Sequence, residues 1–188
     1  MSRCLVGRAI LAISVFAVGS VAAQEVKSGL PVGSRLPAPL DALNINGRFA
    51  DKKTEVTHCM FVSNPFVLIF ARDVGDPLIR LVKKMEEATA EHHDAKLGAV
   101  VVFCSQEAGL EKTLKALAEK EKLKAVILSL YPSADGPSPY AIAREADITI
   151  VAFHRGKVIL NYAFRKGQLD DQAIAKFLAD IPKLIKQP

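Results

Sequence analysis

The alternation of apolar and polar residues along the chain centres on Phe66 to Leu81, FVLIFARDVGDPLIRL. Phe66 to Ala71 are all apolar and end at a short polar turn. Leu78, Leu81, Val82, Met85 and Ala88 then follow at helical spacing. A short apolar run bounded by turn residues predicts a strand buried on both faces. Asp76 suits the cap of the next helix and Pro77 its first position. A second buried strand is predicted over Lys96 to Cys104, and a helix from about Glu107 to Lys122 with Leu110, Leu114, Leu117 and Ala118 along one side. A short strand at Ala125 to Leu130 precedes a Pro, Gly and Ser loop over Pro132 to Pro139 and a brief helical piece around Tyr140 to Arg144. Ile148 to His154 and Lys157 to Phe164, joined at Arg155-Gly156, read as a hairpin. The last helix is predicted from about Asp170 to Lys186, with Ile174, Phe177, Leu178 and Ile181 as its stripe and Pro182 placed to end or kink it.

Ahead of the central strand, Leu40 to Ile45 predicts a strand that turns at Asn46-Gly47. Ala50 to Pro65 reads as a polar loop with an apolar knot at Cys59 to Val62. Val26 to Pro39 reads as an extended lead-in, a tether or an edge wrap, rather than a packed element. The first residues have another pattern: Arg3 and Arg8, an apolar core from Ala9 to Val18, and Val21-Ala22-Ala23 before Gln24. This is the pattern of a secretory signal peptide. The expectation is export to the periplasm or the extracellular space. The apolar core falls short of the roughly 20 residues a stable membrane span needs. The organisation that follows is a signal peptide over 1–23, an extended segment over 24–39 and one domain over 40–188.

Charge adds little to this picture. The chain carries 25 Lys and Arg against 20 Asp and Glu, a net of +5; loss of Arg3 and Arg8 with the leader leaves 23 against 20, or +3. The basic residues are interleaved with acidic ones on helix surfaces, the pattern of solvated faces rather than of a nucleic-acid binder. Cys4 would leave with the leader, so Cys59 and Cys104 remain. An even count in an oxidising compartment allows one disulfide and equally allows two free thiols.

The strand into Asp76-Pro77, the following buried strand and helix, and the hairpin with the segment Thr149-Ile-Val-Ala-Phe-His-Arg-Gly together resemble the thioredoxin-like superfamily over about Leu40 to Leu184. The resemblance implies an α/β fold with a central mixed sheet of about four to five strands flanked by helices. It also locates two elements of the usual site. The Cys-Gly-Pro-Cys of thioredoxins aligns with Gly75-Asp76-Pro77-Leu78, which keeps the proline and neither cysteine, and the cis-proline position aligns with Ile148. No Pro-x-x-x-Ser/Thr-x-x-Cys of peroxiredoxin type stands at the corresponding turn.

Dithiol exchange needs a thiolate of lowered pKa at a helix start and a second thiol to resolve the mixed disulfide. Gly75 and Leu78 supply neither. The chain also resembles a group of exported thioredoxin-like proteins with Cys-x-x-Cys just before the central strand; aligned on Pro65, Cys59 matches the second cysteine and Val56 stands for the first. Two readings follow. In one, the protein is an accessory or binding module, with a protein as partner, that no longer performs dithiol chemistry. In the other it is a thiol-disulfide oxidoreductase or thiol peroxidase using Cys59, alone or with Cys104. Adjacent residues of an extended segment point to opposite sides, so His58 is expected to be poorly placed to take the Cys59 proton. Cys104 ends an apolar strand and reads first as a small core hydrophobe, although the carboxyl end of a parallel strand would bring it near the helix start at Asp76. His92 and His93 are adjacent, and His58 and His154 lack a partner at ligand spacing, so no metal site is expected and no cofactor is implied.

Overall fold

Strand β3, Phe66–Ala71, is buried at every position because it lies in the middle of the sheet, parallel to β4 (Gly98–Cys104) and antiparallel to β6 (Ile148–His154). The computed structural model describes residues 26–37, 39–57 and 63–186. The expected leader over 1–23 and Cys59 lie outside the described residues. The mixed sheet has seven strands in the order β2-β1-β5-β4-β3-β6-β7, with β1 at Asp41–Asn44, β2 at Lys53–Glu55, β5 at Val126–Tyr131 and β7 at Lys157–Phe164. This exceeds the four to five strands expected. The strand absent from the sequence reading is β2, three polar residues that carry no alternating pattern and exist because they pair with Asp41 to Leu43 of β1.

Three long helices follow the predicted stripes, except that α3 buries Leu184 and leaves Leu178 half-buried: α1 at Asp76–Glu91, α2 at Leu110–Lys120 and α3 at Asp171–Ile185. All three cover the same face. Val67, Ile69 and Ala71 of β3 share one core with Leu81, Val82 and Met85 of α1, Leu114 of α2 and Phe177 and Ile181 of α3. Successive parallel crossovers, β3–α1–β4 and β4–α2–β5, keep one hand, which leaves both helices on one side. Asp170 caps α3 by accepting from the Ala173 amide at 2.8 Å. Pro182 does not end this helix, which runs on to Ile185.

The opposite face, formed by Phe66, Leu68, Phe70, Val100, Val102 and Cys104, has no long helix over it among the described residues. Leu30, Leu36, Leu40, Val56, Tyr140 and Ile142 cover it instead, all from irregular chain or short turns. The lead-in 26–37 therefore packs as an edge wrap, the second of the two forms expected, and not as a free tether. Val26 and Ser28 are buried, and Arg35 forms an antiparallel bridge with Lys157 at the start of edge strand β7. The Ser28 hydroxyl lies 2.7 Å from that of Thr149 and accepts from the Ala143 amide at 2.9 Å. A buried hydroxyl keeps its place only when it is hydrogen-bonded. These bonds explain how a Gly, Pro and Ser-rich stretch stays on a sheet face.

Candidate functional site

The end of β3 and the start of α1 form the corner at which thioredoxin chemistry is expected. Gly75 is the N-cap of α1, with extended backbone and no capping side chain, and Asp76 is the first helical residue rather than the cap anticipated from sequence. An acidic side chain in the first turn still favours the helix through its dipole. Leu78 is 2 % exposed and belongs to the core between α1 and the sheet. Its position is a packing position. Ile148 begins β6 directly opposite Ala71, buried in the same core, and no peptide bond among the described residues is cis. The corner thus presents backbone amides, aliphatic side chains and the carboxylates of Asp73 and Asp76.

One residue of this corner escaped the sequence reading. Arg72 follows the apolar strand, and its backbone N–H donates to the Asp147 carbonyl at 3.2 Å. Its guanidinium donates to the carbonyls of Ala146 at 2.8 Å, Ala143 at 2.9 Å and Ala134. A single planar fork therefore gathers three carbonyls of the β5–β6 connection, a geometry that arginine provides and lysine does not. The available signal was a charge set immediately after an all-apolar strand. Its partners lie 62 to 74 residues away and carry no pattern.

Cys104 ends β4 in register with Tyr131. It stands at the same end of the sheet as the α1 start but points to the other face, into the core with Phe70, Val102 and Tyr140. It is 2 % exposed. Gly136, at φ +72°, comes so close that a Cβ there would lie 3.5 Å from the sulfur and 3.3 Å from Ile142. Burial pushes the Cys104 thiol up to about 12, and the nearby Arg72 charge only partly opposes this. At neutral pH the sulfur is a thiol, and a thiol is neither a nucleophile nor a metal ligand.

The chain on either side of Cys59 is anchored. Thr57 is buried and its hydroxyl accepts from the Leu40 amide at 3.1 Å, while the Pro65 carbonyl accepts from the Gly98 amide at 3.0 Å. Val56, which aligns with the first cysteine of the exported group, is a core residue. Tyr140 packs its ring 5.3 Å from that of Phe70 and hydrogen-bonds Thr57; burial raises its phenol to about 12. Of the four histidines, His58 lies outside the described residues. His92 caps the end of α1, His93 is exposed, and His154 is buried with Nδ1 at 2.7 Å from the Leu184 carbonyl near the end of α3. Among the described residues no three His, Cys, Asp or Glu side chains converge as a metal site would require. Likewise no helix among them is long and apolar enough to cross a membrane.

No protein-family model and no curated protein matches the sequence. Solved structures do match in shape. A candidate protein disulfide isomerase from Bacteroides thetaiotaomicron superposes with a TM-score of 0.62 at 20 % identity, over 86 % of this chain and 96 % of that one. An uncharacterized thioredoxin-like protein from Porphyromonas gingivalis gives a TM-score of 0.58 at 17 % identity, over 83 % and 95 % of the two chains. A yeast mitochondrial 1-Cys peroxiredoxin gives 0.57 at 13 % identity, over 82 % and 76 %. With its central parallel pair β3–α1–β4, the antiparallel β6–β7 hairpin beside it and the closing helix α3, the chain has the thioredoxin-like fold.

Proposed function

We propose that the protein is an exported thioredoxin-fold module that binds or supports another protein and does not run dithiol exchange from the start of α1. The observation that carries this reading is the chemistry of the corner itself. Gly75 and Leu78 offer no sulfur, Leu78 is committed to the core, and Ile148 stands where the cis-proline is expected. The amides at the α1 start remain, but amides alone cannot accept or pass on a disulfide. Export rests on the pattern of the first 23 residues. On this reading the secreted protein begins at Gln24, which the intact mass of the secreted chain checks.

The second reading, a thiol-disulfide oxidoreductase or thiol peroxidase acting through Cys59, is favoured by the thiol chemistry named for several proteins of similar shape. Cys104 is a poor resolving partner because it is buried and its thiol is pushed up. Alkylation separates the two readings. In a Cys104→Val background, Cys59 is expected to react with iodoacetamide at neutral pH no faster than an ordinary free thiol. A rate well above that of glutathione, still present at pH 6, would mark an activated thiolate and replace the first reading with the second.

A further inference from the structure

We propose that the cleft bordered by Arg35, Arg155 and Lys157 binds a small phosphate-bearing ligand, such as a diphosphate group, carrying at least two negative charges. The site is independent of the α1 corner. The β6–β7 turn lies at the Phe66 end of β3, whereas α1 begins beyond the Ala71 end. The cleft has a volume of about 750 Å³ and is walled by Arg35, Leu36, Pro37 and Pro39 of the lead-in, by Glu55 and Thr57, and by the turn. Small-molecule sites generally span roughly 300–1,000 Å³.

Local stability does not explain the charges gathered here. The Leu36 amide donates to the Gly156 carbonyl at 2.8 Å and the Val158 amide to the Ser34 carbonyl at 2.9 Å. Arg35 and Lys157 are therefore a non-hydrogen-bonded antiparallel pair, the arrangement that brings two side chains closest on one face. Like charges placed this way repel. The next cation is also badly placed for folding. Arg155 has φ +51° and Gly156 φ +70°, a two-residue turn whose first position favours asparagine or glycine over a side chain such as arginine. Residues that break local rules together are expected where function requires them.

The three cations are also unneutralised. Arg80, Lys115 and Arg144 each hold a carboxylate of this chain within 2.8 Å, but Arg35, Arg155 and Lys157 have no ion-pair partner among the described residues. Among the described residues Glu55 is the single acidic residue of the wall, so three cations against one carboxylate leave a formal +2. Two guanidinium forks present paired donors that match phosphate oxygens, and the lysine on the same cleft wall adds a point charge. A dianion replaces the mutual repulsion of Arg35 and Lys157 with attraction to both.

Inorganic pyrophosphate titrated calorimetrically into the mature chain at low ionic strength tests the site. Saturable one-site binding is expected, weakened about tenfold or more by Arg155→Asn and by Lys157→Thr, since each removes a charge-assisted contact. Both variants should also keep or raise the thermal midpoint without ligand, because the first relieves the turn and the second the repulsion. Lys115→Ala, a cation away from the cleft, should leave binding unchanged. The proposal is overturned by absence of saturable binding, by equal weakening in Lys115→Ala, or by full binding in either cleft variant.

Discussion

The face of the sheet that carries α1, α2 and α3 is closed by apolar stripes, whereas the face built on Phe70, Val102 and Cys104 is closed by irregular chain held through polar contacts. On the first, Leu81, Met85, Leu114 and Phe177 are fully buried, and each recurs at helical spacing along its own segment. On the second, the order comes from Arg72 gathering three carbonyls, from Ser28 with Thr149, and from Tyr140 with Thr57. Apolar burial is non-directional and tolerates small shifts. A buried hydrogen bond does not, since loss of one partner leaves the other desolvated and unpaired. The two faces should therefore fail in different ways.

The largest expected effect is on the helical face. Phe177→Ala removes a fully buried ring where α3 meets the sheet and should lower unfolding free energy by about 3–5 kcal/mol, read from the urea midpoint. Arg72→Met should follow, at roughly 2–3 kcal/mol for the loss of charge-assisted bonds to three carbonyls. Here the pattern matters more than the size. Amide exchange should quicken over the β5–β6 connection and Cys104 should become reactive, while protection in α1 and α3 is retained. Uniform loss of protection in both faces would contradict the division drawn here. Ser28→Ala should cost about 1 kcal/mol and release the lead-in to limited proteolysis while the helices stay intact.

The smallest effect at neutral pH, and the most specific to the second face, is alkaline. Cys104 is raised from 9.0 to about 12 and Tyr140 from 10.0 to about 12, both by burial. Above pH 9 the unfolded chain releases these protons while the native chain holds them. The native state then binds more protons, and stability falls as pH rises. The loss should begin near pH 9 through Cys104, grow above pH 10 through Tyr140 and, on the helical face, Tyr162, and continue to about pH 12. Cys104→Val should flatten the first part of the decline and Tyr140→Phe the second, measured as urea midpoints between pH 8 and pH 11. An unchanged slope in both variants would show that these groups are not sealed in the native state.

The same division explains what the sequence made legible. β3 and the β6–β7 hairpin follow their sequence-read limits because continuous apolar runs and the Arg155-Gly156 turn are local signals. The buried apolar residues of α1 and α2 are those of the stripes read from spacing, with Thr89 of α1 buried in addition. Asp76 was misplaced by one position, since Gly75 takes the cap. The second face was mostly illegible. Ser28 and Thr149 are 121 residues apart, Arg72 and Ala146 74, and single polar residues with distant partners have no period. β2 belongs to the same class, a polar triplet made a strand by its neighbour. The candidate thiols divide likewise. The sequence placed Cys104 at the right end of its strand, but only the alternation of side chains across β4 sends the sulfur away from the helix corner.

The central proposal is that a thioredoxin-like fold is kept here without thiol-disulfide turnover, either at its usual corner or through Cys59. Reduction of insulin disulfides by the mature protein, with dithiothreitol as the electron source, tests it most directly. The rate should equal that of dithiothreitol alone and be the same for the wild type and for Cys59→Ser. Acceleration by the wild type that disappears in Cys59→Ser would contradict the account and make Cys59 the reacting thiol.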